Sequence, residues 1–435
     1  MELLEQCRKW NENREYQKII DALENISADE RTPEMDSELA KAYIAIADIG
    51  EREPYEEGSA LPRFEKNFRE RTQEAWAAFA GIEGELRAIM EADKLRERSE
   101  EIIEKCSGAL ELALSSPAFE LGFNGEKYEL ILSAEGSRAG LFPLVYFQCH
   151  VPASVREHWN ILVGRQPSAE FSLRSGPDEI RPEDVQVWVE QQEDGRLSLT
   201  LYCEKILPLQ QENVERAWWL LSTLTDQVLG EVNFIAHIGG FDLIDAPKKG
   251  PVAFPAVSLE KLPQMLKSLG LTDYRDGADF LENSYITYEL DPVKDPDADW
   301  RLDVYTGSNR LPVLINEYMS AQSDMMNEYH KDGIVAGFLC YPLNGFEGGN
   351  RAEQILQFRD TLQDAIQKHA GEGAVTFLGG ATGLYYGYLD FIAWDLLAVL
   401  DAARAFFADT DLTWSGFHVF RRDVGAVRLW EQEKE

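Results

Sequence analysis

The sequence predicts an α+β protein in which an all-helical N-terminal region precedes two regions that mix helices and strands. Apolar residues recur at i, i+3 and i+4 through the first 115 residues, which is the spacing of helices. From residue 125 the pattern changes to strand-like alternation, and the last third has the order β-α-β-β-α-β. We place the three regions at 1–115, 120–247 and 255–435, with a proline-containing linker near residue 250.

The composition is that of a folded, acidic protein. Of 435 residues, 44% are hydrophobic and 11% aromatic, which excludes a disordered acidic chain because such chains are poor in aromatic residues. Lys and Arg total 42 against 77 Asp and Glu, so the formal net charge is -35, and this charge is spread over all three regions. It argues against nucleic-acid binding and against anionic membrane surfaces, since both require clustered cations.

Cysteine and histidine usage predicts a cytoplasmic protein without a metal or another cofactor. Five scattered cysteines form no CxxC pair, which is typical of a reducing compartment. The first residues have no apolar segment of a signal peptide, and no apolar run approaches the ~18 residues that span a bilayer. The six histidines have no HxH or HxxxH spacing, so no zinc site is expected.

The N-terminal helices are predicted from apolar stripes and from the residues that end them. Leu3, Leu4, Cys7 and Trp10 form the first stripe. Further helices are expected over 16–23, 38–50, 64–90 and 94–114, with a loop at 51–62 and a stop before Pro117.

The middle region contains the strongest local signal, a hairpin that turns at Asp194-Gly195. Its two strands are predicted over 185–192 and 197–205, because both alternate and the turn residues tolerate positive φ. Around the hairpin we expect a strand over 127–134, a helix over 212–230 and a strand over 231–245.

The last third predicts a regular series of elements. Strands are expected over 284–290 and 300–306 and one helix over 312–330. The β-α-β-β-α-β series that follows is the ferredoxin-like split motif, with its central hairpin joined through Ala381-Thr382. Its elements are predicted over 333–343, 351–370, 373–380, 383–391, 393–407 and 412–420.

Two segments carry a resemblance to known proteins. Residues 15–48, with small residues where helices approach each other, resemble tetratricopeptide (TPR) helical repeats, and residues 100–117 are similar to the second helix of such a repeat with its terminating Pro. The C-terminal third, with YPL, GGATGLYYGYLDF and FHVFRRD, resembles small uncharacterised ferredoxin-like domains of bacterial proteins. These resemblances imply an architecture and no activity.

Two motifs that suggest ligand binding have simpler explanations. Gly379 to Gly383 lack the lysine and the helix of a phosphate loop, so we interpret these glycines as a hairpin turn. Asp295, Asp297 and Asp299 have the spacing of a calcium loop, but its glycine and its final glutamate are missing. We therefore expect a solvated loop.

The candidate binding residues are His418, Arg421, Arg422 and Arg428, with Asp390 as a weaker addition. Four basic or titratable side chains close together are conspicuous in so acidic a chain. They form either internal ion pairs, which we favour, or a pocket for an anion or an acidic peptide. Asp390, together with Asp395 and Asp401, is also weighed as a paired-carboxylate site.

These observations favour an uncharacterised cytoplasmic, non-enzymatic adaptor that binds another protein. The alternatives are an enzyme whose dispersed active site lies in a cleft between the two α+β regions, and an immunity-type protein that binds a basic partner. No G-x-S-x-G elbow or other catalytic constellation is present in the sequence, so its catalytic residues, if it has any, are not predicted.

Overall fold

A computed structural model describes residues 2–12, 16–26, 32, 35, 64–92, 97–168, 170–175, 178–250, 253–346 and 348–432. The chain is an α+β protein that divides into two compact units, Met1–Pro62 and Arg63–Glu435. The helices predicted after residue 63 therefore belong to the same compact unit as all the strands.

In the first unit, two amphipathic helices carry a small apolar core. Helix α1 is Glu2–Glu12 and helix α2 is Tyr16–Glu24. Their buried residues include Cys7, Ile19 and Leu23, as the predicted stripe requires. The predicted helix over 38–50 and the loop over 51–62 lie outside the described residues.

The second unit contains helices of very different lengths. The longest is α3, Phe68–Ala92, which packs beside α4, Ser99–Leu110. The other α-helices are α5 Leu141–Cys149, α6 Ala153–His158, α7 Leu207–Glu212, α8 Val214–Leu229, α9 Glu231–His237, α10 Leu262–Ser268, α11 Gly277–Glu282, α12 Pro312–Met319, α13 Asp324–Lys331, α14 Arg351–Ala370 and α15 Leu396–Ala408.

The strands that the structure describes in this unit form two small sheets, a short ribbon and one large sheet. The sheet orders are β1-β2-β3, β4-β5, β8-β7-β6-β9 and β10-β11-β13-β14-β12-β15-β16. The strands are β1 Ala118–Phe123, β2 Tyr128–Ser133, β3 Trp159–Val163, β4 Leu173–Ser175, β5 Asp178–Ile180, β6 Gln186–Gln191, β7 Leu197–Tyr202, β8 Ile238–Leu243, β9 Val257–Ser258, β10 Ile286–Glu289, β11 Val304–Asn309, β12 Val335–Pro342, β13 Val375–Gly383, β14 Tyr386–Ala393, β15 Trp414–Val419 and β16 Val427–Glu431.

The large sheet is antiparallel throughout and is covered on both faces. Helices α14 and α15 cover one face, where Leu339 and Phe391 of the sheet share a core with Leu362 and Phe407 of the helices. The opposite face shares a larger core with α3 and α12. Because side chains alternate along each strand, this second face holds the polar residues described below.

The predicted hairpin at Asp194-Gly195 is confirmed. Strands β6 and β7 pair in the expected antiparallel register, and Gly195 adopts a φ of 84° in the turn. Strand β9, which follows the predicted linker, pairs with β6, so the residues on both sides of position 250 contribute to one sheet.

Several predicted elements are wrong in type or position. Residues 231–237 form α9 instead of a strand, because a short apolar segment fits a buried helix equally well. The single helix expected over 312–330 is two helices, α12 and α13, separated where Ala321 adopts a φ of 56°. Strand β11 occupies 304–309 and not 300–306.

The glycines from Gly379 to Gly383 lie inside strand β13, so the turn predicted at Ala381-Thr382 is wrong. Gly379 has a φ of 140° at a bulge, and a Cβ there would collide with the carbonyl of Ser308. A Cβ on Gly383 would collide with the carboxylate of Asp303. These glycines allow the sheet and its neighbours to approach closely, and the hairpin turns at 384–385 instead.

We predict that Gly383→Ala lowers the free energy of unfolding by about 1–3 kcal/mol, because the new methyl group must displace the buried Asp303 carboxylate. Gly425→Ala is the matched control, since Gly425 faces open space. Urea unfolding of both variants measures the difference, and equal stabilities would contradict the close approach.

Candidate functional site

The candidate residues predicted from the sequence do not form one basic patch. Asp390 lies in β14, His418 in β15, Arg421 and Arg422 follow β15, and Arg428 lies in β16. Their surroundings differ, and each is described in turn.

Each arginine of the cluster has its own local partner. Arg421 donates to Asp423 at 2.6 and 2.9 Å and to Asn327 Oδ1 at 2.8 Å. Arg422 donates to Asp299 Oδ2 at 2.6 and 3.1 Å, and the Arg428 guanidinium lies 4.5 Å from the centre of the Trp414 ring. The contacts of Arg421 and Arg422 are consistent with the internal pairing that we favoured.

Asp390 forms an ion pair with Arg301, and both side chains are buried. The guanidinium donates from Nη1 to Asp390 Oδ1 and from Nη2 to Asp390 Oδ2 at 3.3 Å. Asn309 Nδ2 donates to the same Oδ2 at 2.9 Å, and Arg301 Nη2 also donates to the Tyr288 hydroxyl at 2.9 Å. A buried ion pair of this kind is tolerated only when such additional hydrogen bonds satisfy both groups.

Aromatic rings enclose the Arg301 guanidinium. It lies 4.9, 5.3 and 5.1 Å from the ring centres of Phe338, Tyr388 and Phe420. Burial by itself lowers the pKa of Arg301, but the adjacent carboxylate of Asp390 outweighs this effect, so the pKa of Arg301 is raised and the guanidinium stays charged. The backbone of Arg301 has a φ of 75°, a conformation that costs energy in a non-glycine residue.

A second buried carboxylate, Asp303, holds the β13–β14 turn. It accepts hydrogen bonds from the Tyr388 hydroxyl at 2.5 Å and from the backbone amides of Tyr385 and Tyr386 at 2.9 and 3.0 Å. The Tyr388 hydroxyl in turn accepts from the Arg301 amide at 2.8 Å. Through Tyr388, Asp303 and Arg301 belong to one hydrogen-bonded network.

His418 lies on the same sheet face as Asp390. Phe338 of β12 pairs with His418 of β15 on one side and with Asp390 of β14 on the other side. The three residues therefore form a row across β15, β12 and β14. The His418 and Phe338 rings stack at 5.6 Å with an angle of 8°. Asp390 and His418 are therefore separated by a ring, and they do not form a catalytic pair.

A cavity of about 370 Å³ lies beside this row, and two of the candidate residues, His418 and Arg422, line it. Trp300 is part of its wall and packs against Gly416, where a Cβ would collide with the ring. The residues that line it are Asp297, Ala298, Asp299, Trp300, Tyr318, His418, Arg422, Val424, Gly425 and Ala426.

Two polar groups that line the cavity lack a hydrogen-bond partner among the described residues. His418 is 8% exposed, and its Nδ1 lies 2.6 Å from the Val419 carbonyl. Because a carbonyl oxygen only accepts, Nδ1 donates in this contact, and Nε2 has no hydrogen-bond partner among the described residues. Tyr318 is 1% exposed, its hydroxyl also has no partner in the described residues, and burial raises its pKa.

Two carboxylates, Asp297 and Asp299, and the guanidinium of Arg422 are the other charged groups of the lining. Asp299 is paired with Arg422, whereas Asp297 makes no ion pair with any residue that the structure describes. Asp297 and Asp295 belong to a turn in which the Asp297 amide donates to Asp295 Oδ1 at 3.0 Å. Across the described ranges, no group of three or more His, Cys, Asp or Glu side chains is arranged to hold a metal ion.

The other two aspartates weighed as a carboxylate site are separate from Asp390. Asp395 is the N-cap of α15, where its side chain accepts from the Ala398 amide at 3.2 Å. Asp401 is exposed on the same helix and lies 3.9 Å from Arg404. No paired-carboxylate site joins these residues in the part of the chain that the structure describes.

No sequence motif singles out Arg301, Trp300 and Tyr318, which complete the site. They lie in an acidic loop and in a short helix, and their partners are distant in the chain.

A second buried acidic cluster was also missed. Arg165 is surrounded by Asp226 at 2.9 Å, Glu135 at 2.8 Å and Glu231 at 3.9 Å. Glu231 is fully buried and also accepts from Ser133 Oγ and from the Gly136 amide, at 3.1 and 3.0 Å.

No known protein family, curated protein or solved structure matches this chain. Within the described ranges, no helix is long and apolar enough to cross a membrane.

We predict that Asp390→Asn lowers the free energy of unfolding by about 3–5 kcal/mol, because Arg301 is left as a buried charge without its counterion. Asp360→Asn is the control, since Asp360 is exposed on α14 and its loss is expected to change stability by less than about 0.5 kcal/mol. Urea unfolding measures both, and equal losses would contradict the role of the ion pair.

We predict that Asp226→Asn reduces the pH dependence of stability. Burial raises the pKa of Asp226 to about 6, although Arg165 opposes this shift. A carboxyl group with a raised pKa stabilises the folded state below its unfolded pKa near 4, and this contribution is lost as pH rises through 6. The unfolding free energy of the wild type should therefore fall by about 2–3 kcal/mol more than that of the variant between pH 4 and 7. Urea unfolding of both proteins at several pH values between 4 and 7 measures this, and an equal fall in the unfolding free energy of wild type and variant would contradict the prediction.

Proposed function

We propose that this chain is a non-enzymatic protein-binding protein whose partner is basic, and that a cationic side chain of the partner enters the cavity at Trp300. The observation that carries the proposal is the chemistry of the wall. Trp300, Tyr318 and His418 provide aromatic rings, while Asp297 and Asp299 provide carboxylates. Aromatic faces and carboxylates together favour an ammonium or guanidinium group.

The ion pairs around the cavity support a cationic ligand. Arg422 of the chain itself donates to Asp299, so a guanidinium already fits this part of the wall. Asp297 has no ion pair within the described residues and is therefore open to a partner's cation. The net charge of -35 adds a long-range attraction that accelerates the encounter with a basic protein. An immunity-type role against a basic toxin is one form of this function.

We also propose the finer features of the architecture and location. The order β15-β12-β14-β13 within the large sheet, with α14 and α15 on one face, supports a ferredoxin-like topology. The pairing of α1 with α2 supports a TPR-like arrangement of the N-terminal helices. No disulfide joins the cysteines of the described residues, which supports a reducing, cytoplasmic location.

We predict that Asp297→Asn weakens the binding of a tetra-arginine peptide by about five- to tenfold at 150 mM NaCl, because it removes one charge-assisted hydrogen bond. Isothermal titration calorimetry measures the affinity. Asp360→Asn removes the same charge from an exposed position on α14 and should change the affinity by less than twofold.

The same two variants test whether the protein partner is basic and binds at this cavity. A basic protein that the wild type retains from a cell extract should be lost with Asp297→Asn and kept with Asp360→Asn. Equal retention by both variants, or a partner without basic character, would contradict the proposal.

The alternative function is an enzyme that uses this cavity. The observation that favours it is the pair of polar groups without partners among the described residues, His418 Nε2 and the Tyr318 hydroxyl, since imidazole and phenol groups are those that act in general acid–base catalysis. Peptide binding that does not depend on Asp297 would favour this alternative.

A further inference from the structure

A second cavity, of about 450 Å³, lies between the end of α5, helix α6 and strand β3, far in sequence from the first. Its wall contains two cations, Lys127 and Arg156, and the exposed thiol of Cys149. No carboxylate belongs to this wall as the structure describes it. This is unusual in a chain with a net charge of -35.

The two cations are held by neutral groups. Lys127 Nζ donates to the Arg156 carbonyl at 2.7 Å, and Arg156 donates to the carbonyls of Val151 and Cys149 at 3.2 and 3.1 Å. Neither cation forms an ion pair with a carboxylate of the described residues. Backbone carbonyls orient both side chains but leave their positive charges uncompensated.

Burial and the negative charge of Asp276 raise the pKa of the Cys149 thiol, and the Asp276 carboxylate already accepts three hydrogen bonds. Asp276 accepts from Gln148 Nε2 at 2.7 Å, from the Ala278 amide at 2.9 Å and from the Val163 amide at 3.4 Å. These bonds hold Asp276 as the N-cap of α11 and keep it out of the cavity wall.

The remainder of the wall is largely apolar. Trp159, Ile161 and Val151 are buried residues that reach the cavity, and Leu162 completes this side. A ligand with an aromatic or aliphatic body gains contact area there, while its charged end reaches the cations.

We propose that this cavity binds a small organic anion, a carboxylate, sulfonate or phosphate on an apolar body, between Lys127 and Arg156. The site is independent of the proposed function, because it shares no residue with the cavity at Trp300.

Cys149 provides a direct reporter of occupancy. It lines the cavity and is exposed, whereas Cys7, Cys106, Cys203 and Cys340 are buried. The experiment measures the rate at which iodoacetamide alkylates Cys149 in the full chain, with peptide mapping by mass spectrometry. The probes are 1-naphthalenesulfonate, which has the anion and the apolar body, sodium sulfate, which has only the anion, and 1-naphthylmethylamine, which has the opposite charge.

We predict that saturating 1-naphthalenesulfonate slows alkylation about tenfold, that sulfate at equal concentration protects less, and that 1-naphthylmethylamine does not protect. Lys127→Gln and Arg156→Gln should each raise the sulfonate concentration needed for half protection by about five- to tenfold, since each removes a charge-assisted contact. Lys331→Gln is the control, because Lys331 is an exposed lysine on α13 whose loss changes the net charge equally.

Because Arg156 also holds two backbone carbonyls, its variant is checked by the alkylation rate without probe and by thermal unfolding. Lys127→Gln tests the proposal even if Arg156→Gln unfolds. Equal protection by the cationic and anionic naphthalene probes would overturn the proposal. So would protection that Lys127→Gln leaves unchanged relative to Lys331→Gln.

Discussion

The buried ion pair between Arg301 and Asp390 is the constraint on which the large sheet and its cavity depend. Transferring both charges from water costs several kcal/mol per ion, so the attraction between the two charges and further contacts must offset this desolvation penalty. These contacts come from Asn309, Tyr288 and three aromatic rings around the guanidinium. Because Arg301 is fixed, the acidic loop before it is held against the sheet, and Trp300 is positioned as a cavity wall.

Elements with local signals were predicted from the sequence, and elements decided by tertiary contacts were not. The turn at Asp194-Gly195 needs only residues that accept positive φ, and its hairpin is confirmed. The glycines of β13 suggested a turn by the same logic, but they are required because Ser308 and Asp303 approach the strand. No local sequence pattern indicates these contacts, since Ser308 lies 71 residues before Gly379 and Asp303 lies 80 residues before Gly383.

The candidate site was predicted in part for the same reason. His418 and Arg422 were conspicuous as basic residues in an acidic chain, and both line the cavity. Asp390 was found, but its role depends on Arg301, which lies 89 residues earlier and belongs to no motif that marks a functional site. Tyr318 looked like an ordinary core residue of a helix. Residue types and spacing identify charges that are unusual, whereas the partner of each charge is set by the fold.

The two cavities show that net charge does not determine local recognition. The net charge of -35 attracts cations and repels anions at long range, but this effect is screened within about 10 Å at 0.1 M salt. Inside a cavity the contacting groups decide. The cavity at Trp300 has aromatic rings and two carboxylates, one of them paired with Arg422, whereas the second cavity has two cations, Lys127 and Arg156. Salt therefore affects the two sites in opposite ways. It slows the arrival of a cation at the first cavity, and it relieves the repulsion that an anion must overcome to reach the second.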